Sequence, residues 1–206
     1  MPNESSQHQD IIAAVKESPQ SINQRFVSGG GTERLTPLQY AVVMDDADLV
    51  RKLIELGADI EEPDAFRSTP LMMAAYNKRQ SISEFLVQHG ADLTAVNSVG
   101  KTVLHHAAQH GDIGLVKRVL AAGVSVNAAD GEGYTPLHCA VINDQMEAIQ
   151  TLIRNGANPL IKTSPSSKAG ASKTARDFAA SFSKRSLELL ATQTTAPKRQ
   201  WWEFWK

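Results

Sequence analysis

The fold class that the sequence predicts is an all-α repeat solenoid, and three observations predict it. Four columns recur every 33 positions in one register: Thr36, Thr69, Thr102 and Thr135; Leu38, Leu71, Leu104 and Leu137; Ala41, Ala74, Ala107 and Ala140; Gly57, Gly90, Gly123 and Gly156. Each unit holds two apolar-periodic segments, such as Leu38 to Met44 and Ala47 to Leu56, that are too short to be stable helices alone in water and so must pack as pairs. The boundaries are chemical: a threonine hydroxyl and a proline suited to the first helical position open the first helix in Thr36-Pro37, Thr69-Pro70 and Thr135-Pro136, and the glycines close the second.

Taken in order, residues 1–7 are expected to be a disordered N-terminus and 8–31 a degenerate capping repeat. In that cap Ala13 and Gly29 keep the separation of Ala41 and Gly57, Ser6 to Gln9 has capping-box spacing, and Ser18-Pro19 opens a second helix. Four full repeats follow at 32–64, 65–97, 98–130 and 131–163. The Ser/Pro/Gly-rich stretch 164–172 reads as a flexible insertion, because Lys173-Thr174-Ala175 restarts the pattern six residues late. Residues 173–191 are expected to form the C-terminal capping repeat and 192–206 a tail. Terminal caps are what a solenoid needs, since each end otherwise exposes a core-like face.

The pattern resembles the ankyrin family, whose Thr-Pro-Leu-His signature stands complete as Thr135-Pro136-Leu137-His138 and with one change as Thr102-Val103-Leu104-His105, over about residues 32–163. The resemblance implies that the histidine bonds the turn. Repeats with Gln39 and Met72 at that position are therefore expected to be less well tied. It also implies binding through hairpin tips and the exposed side of the first helices. Counting from the threonines, those positions include Leu35, Met44, Phe66, Tyr76, Val99, Lys101, His110, Tyr134, Ile142 and Asn143. The stripe is mostly apolar and aromatic, a composition that suits a protein interface.

Charge argues the same way. Of the chain's 21 basic and 22 acidic residues, nine basic and three acidic lie in 161–206, leaving 12 basic and 19 acidic in 1–160, a net −7 that repels nucleic acid. The expected partner is a protein, with no nucleic acid, and the chain is expected to be monomeric. No catalytic residue, metal or cofactor is expected. His105, His106 and His110 lack a third well-placed ligand and read as structural, with His110 the exposed member. Cys139 falls on the core face. Gly29-Gly30-Gly31 lacks the Lys-Ser/Thr of a phosphate loop, and Asp45-Asp46 and Glu61-Glu62 read as solvated surface.

One cysteine permits no internal disulfide, and the N-terminus has no basic-then-apolar signal, so the expected location is cytoplasmic; export as an effector stays open. The tail carries all three tryptophans, and Trp201, Trp202, Phe204 and Trp205 are candidates for docking to a partner, for weak membrane contact through 197–206, or for folding back. The expected function is a non-enzymatic adaptor or scaffold. The alternative is a peripheral membrane or membrane-protein accessory factor addressed by that tail.

Overall fold

The computed structural model describes residues 4–27, 34–165 and 172–194, without the side chains of residues 4–9, 182 and 192–194. Its helices pair in chain order: α2 (Pro37–Val43) with α3 (Ala47–Glu55), α4 (Pro70–Tyr76) with α5 (Gln80–Gln88), α6 (Val103–His110) with α7 (Ile113–Ala121), α8 (Pro136–Ile142) with α9 (Met146–Arg154), and α10 (Ala175–Phe182) with α11 (Lys184–Thr194). The first helices pack in series from α2 through α10, and α7, α9 and α11 follow one another outside them.

Each first helix begins at the threonine: Thr36, Thr69, Thr102, Thr135 and Thr174 are the N-caps, all with extended backbone. After each second helix comes a glycine with φ near +90° (Gly57, Gly90, Gly123, Gly156), a conformation that penalises any side chain. The leucine column Leu38, Leu71, Leu104 and Leu137 is almost fully buried, as is the alanine column that lets neighbouring helices approach. A Leu→Ala change at such a site costs about 2–5 kcal/mol, so the column is a main source of cohesion between repeats.

The loops between pairs project as fingers joined to one another through the backbone. Ser98 N–H donates to Phe66 O (2.8 Å), Gly131 N–H to Val99 O (2.9 Å) and Ser164 N–H to Glu132 O (2.8 Å), so acceptors one repeat apart hold donors on the next finger. Within each tip one side chain closes the turn. Asp64 accepts from Phe66 and Ser68 N–H, Asn97 from Val99 and Lys101 N–H, and Asp130 from Glu132 and Tyr134 N–H. Gly100 and Gly133 stand where the next finger is so close that an added Cβ would lie 2.8 Å and 2.7 Å from its backbone nitrogen.

The N-terminal end differs from the sequence expectation. Residues 4–7 are already helical, in α1 (Glu4–Glu17), and the second helix expected from Ser18-Pro19 is a single 3-10 turn, Pro19–Ser21. The chain has no room for more, because Phe26–Val27 (β1) pairs antiparallel with Arg34–Leu35 (β2) immediately afterwards. Asn23 Oδ1 accepts from Asp59 N–H (2.9 Å), as Asn127 Oδ1 accepts from Asn158 N–H (2.8 Å) in the segment after α7. α1 thus stands in the place of a second helix. Arg25 then ties this end to Glu62 and Pro63 O.

At the other end the insertion leaves and returns at one point. Thr163 N–H donates to Lys173 O (2.9 Å) and Lys173 N–H to Thr163 Oγ1 (3.1 Å), so the repeat pattern resumes across it. The cap docks through Asp144, whose Oδ1 accepts from Ser183 (2.6 Å) and Ser186 (2.9 Å) hydroxyls.

Candidate partner-binding surface

The ends of the first helices and the fingers line one face. On it Met44, Phe66, Tyr76, Val99 and Ile142 are exposed, Phe66 and Tyr76 by more than half of their surface (58% and 57%). Phe66 and Val99 stand at corresponding positions of successive repeats, and Tyr76 and Ile142 correspond in the same way two repeats apart. A hollow of about 560 Å³ lies at the last of these positions, lined by Val99, Lys101, Gln109, Asp130, Gly131, Glu132, Tyr134, Cys139, Ile142 and Asn143.

Two members of the expected stripe do not stand free. Leu35 is buried (8% exposed), because its strand pairs it with Phe26 and turns it inward over α2. Tyr134 is half-buried, its ring 5.9 Å from both His138 and Phe178, so it caps the joint between the last repeat and α10 while its edge lines the hollow. Lys101 and His110 are half-buried, and Asn143 is exposed with its amide donating to Cys139 O (2.8 Å). His110 is therefore not the exposed member that the sequence suggested. Trp201, Trp202, Phe204 and Trp205 lie outside the described residues, as do Gly29, Gly30 and Gly31.

Tyr76 is anchored at its base although its ring is exposed. It meets His106 of the next first helix edge-on at 5.4 Å and His110 at 6.5 Å. His106 is buried, and burial, with Lys101 and two histidines nearby, pushes its pKa down to about 3, so it is a neutral aromatic support for Tyr76.

The turn histidines have a fixed role. In His105, Nδ1 accepts from Thr102 N–H (3.1 Å), which puts the proton on Nε2, where it donates to Tyr134 O (3.0 Å); His138 repeats this with Thr135 and Lys173 O. Burial holds both below the ordinary imidazole range. Gln39 overturns the expectation of a looser first repeat. Its Oε1 accepts from Thr36 N–H (3.0 Å) and its Nε2 donates to Glu62 O (2.7 Å), so the amide reproduces both ends of the imidazole. At Met72 only the bond from its own backbone N–H to Thr69 Oγ1 remains, because a thioether supplies neither group.

Burial pushes the Cys139 thiol up to about 12, so at neutral pH it is a thiol facing the floor of the hollow and no nucleophile. Among the described residues no three acidic, histidine or cysteine side chains are grouped to hold a metal ion. Nor is any described helix long and apolar enough to cross a membrane.

Two contributors to this face were missed in the sequence: Asp130, and the left-handed column Asp45, Lys78, Gly111 and Asp144 that ends the first helices. The first had a readable signal, an Asp or Asn five residues before successive threonines. The second had a partial one, since Asp45, Gly111 and Asp144 are residue types that favour positive φ and stand in one 33-residue register, whereas Lys78, in the same register, is not.

Paired helices stacked by a 33-residue repeat, with joined fingers beside a groove, define a helical repeat solenoid of the binding type. The family model for ankyrin repeats (3 copies) matches residues 10–97 and 94–163. The chain belongs to the ankyrin-repeat family, whose repeats are in general protein–protein interaction modules. No curated protein matches the chain with significance.

Proposed function

We propose that this chain is a non-enzymatic adaptor that binds a partner protein across the groove between the fingers and the first helices. The observation that carries the reading is the row of exposed apolar side chains, Met44, Phe66, Tyr76, Val99 and Ile142, running along that face and ending at the hollow. Aromatic and large aliphatic anchors on a preorganised surface, beside a hollow that a partner side chain can fill, are the features that concentrate binding energy in protein interfaces. The buried groups behind the face support binding over chemistry: the histidines are neutral and serve the turns, and the thiol is held protonated.

A photo-crosslinking side chain placed at Phe66, Tyr76 or Ile142 tests this in cells, with Leu56 at the end of α3 as an exposed apolar control away from the groove. Adducts to one protein from the three groove positions and none from Leu56 are expected. Adducts from Leu56 alone would move the interface to the outer helices. The variant Phe66→Ala/Tyr76→Ala/Ile142→Ala should remain folded and lose that partner, since all three side chains are exposed.

A further inference from the structure

The body of the chain is acidic, yet the groove carries cations with no carboxylate of their own. Arg67 follows Phe66 at a finger tip, Lys78 follows Tyr76 at the end of α4, and Lys101 follows Val99 and lines the hollow. Each basic residue therefore lies within two positions of an exposed apolar or aromatic one. Lys78 lies close enough to His110, and Lys101 to His106, for each ammonium to disfavour imidazole protonation, which places both on the face that holds Tyr76. Among the described residues the ion pairs run Arg25–Glu62, Arg51–Asp48, Lys52–Glu55, Arg79–Asp45 and Arg118–Glu84, and none uses these three cations.

The acids on the same face are engaged elsewhere. Asp45 pairs with Arg79 at 3.1 Å, while Asp64 and Asp130 hold the N–H groups of their own tips. Glu132 lines the hollow together with Lys101 but forms no ion pair with it. A surface that keeps its cations unpaired beside apolar anchors, on a body with a net charge of −7 over 1–160, is complementary to an acidic ligand with apolar side chains. The chain's own residues 195–206 have the wrong sign for it, carrying Lys198, Arg199 and Lys206 against Glu203.

We propose that the groove takes an acidic peptide segment of its partner, carboxylates meeting Arg67, Lys78 and Lys101 while interleaved aromatic or aliphatic side chains pack on Phe66, Tyr76 and Val99. This rests on the groove being the partner surface. The aromatic contacts supply affinity, and the cations supply orientation through short-range pairing within the groove.

Display selection of random peptides on the full chain tests it, with two variants read against the selected sequences. The charge variant is Arg67→Gly/Lys78→Gly/Lys101→Ser; glycine suits the first two positions, whose φ values are 60° and 61°, so the fold is kept. The apolar variant is Phe66→Ser/Tyr76→Ser. Selected peptides should interleave Asp or Glu with aromatic or aliphatic residues, bind the charge variant about tenfold more weakly, and weaken as salt is raised.

Neutral or basic peptides that bind the charge variant unchanged but fail on the apolar variant would overturn this inference and leave the adaptor reading standing. Peptides indifferent to both variants would overturn the groove reading itself. Displacement of the acidic peptides by single-stranded oligothymidylate at lower concentration would make the cations a phosphate site and overturn the inference. Groove-dependent peptides that bind only after removal of residues 195–206 would make the chain's own tail the occupant and overturn it likewise.

Discussion

Gln39, His105 and His138 do one job with two chemistries, and the job explains why Met72 is the weak member of the column. A side chain here must accept from the threonine N–H below it and donate to a carbonyl of the loop above it. Gln39→His should leave stability nearly unchanged, whereas Gln39→Leu strands both partners and should cost about 2–3 kcal/mol in urea denaturation, given about 1–3 kcal/mol for each buried unsatisfied group. The histidines also set a pH dependence. His105, His106 and His138 are held below the unfolded value of 6.5, so the unfolded chain binds more protons than the native one at mildly acid pH. Stability is therefore complete above about pH 7 and falls as pH drops through 6.5, with each such histidine adding up to about 1.4 kcal/mol per pH unit to the slope. His106→Leu should flatten the decline of the urea midpoint between pH 6.5 and 5, because that histidine stays neutral in the fold down to about 3. An unchanged slope would mean that its burial is relieved in solution.

Helices and fingers were legible in the sequence to different degrees. The first helices follow from Thr-Pro and the apolar columns, and the second helices from their glycines, because each signal is local and repeated in one register. The N-terminal cap was misread because Ser18-Pro19 is a local helix signal, and a nearby strand pairing overrode it. Leu35 was misplaced for the same reason: its column position is that of a tip, but in the first finger it pairs with Phe26, which no other repeat has. Exposure of Phe66, Tyr76 and Val99 was readable from the column alone, while the pairing state of Lys78 and Lys101 needed three-dimensional neighbours. Finger spacing gives the element-scale prediction. Gly100→Ala adds a Cβ 2.8 Å from Gly131 N at φ +78°, so it should lower the thermal midpoint and part the finger of Gly100 from the finger of Gly131. Lys78→Gly, which relieves a side chain at φ 61°, should raise stability by about 0.5–1 kcal/mol after glycine's entropy cost, seen as a higher urea midpoint with an unchanged slope.

Among the described residues, the main contacts between repeats join neighbours in the series, so stability is a chain of local interfaces. Native-state hydrogen exchange should show the greatest protection in α4, α6 and α8, which have partners on both sides, and the least in α1 and α11. Asp144→Ala removes the acceptor of Ser183 and Ser186 and should loosen α10 and α11 while leaving α4 and α6 unchanged. A loss of protection spread over all helices would instead mean that the array unfolds as one unit.

The two rims of the molecule are joined unequally. Along the helices, neighbouring repeats meet through buried leucines and alanines; along the fingers, each described joint carries one backbone hydrogen bond, from Ser98 to Phe66, Gly131 to Val99 and Ser164 to Glu132, with a few side-chain donors such as Asn97, Gln39, His105 and His138 beside them. Under tension along its length the molecule is thus a strip with a tough edge and a perforated one. Pulled from its ends in a single-molecule force measurement, it should part from the finger side first, and a ligand lying across several fingers should act as tape over the perforations.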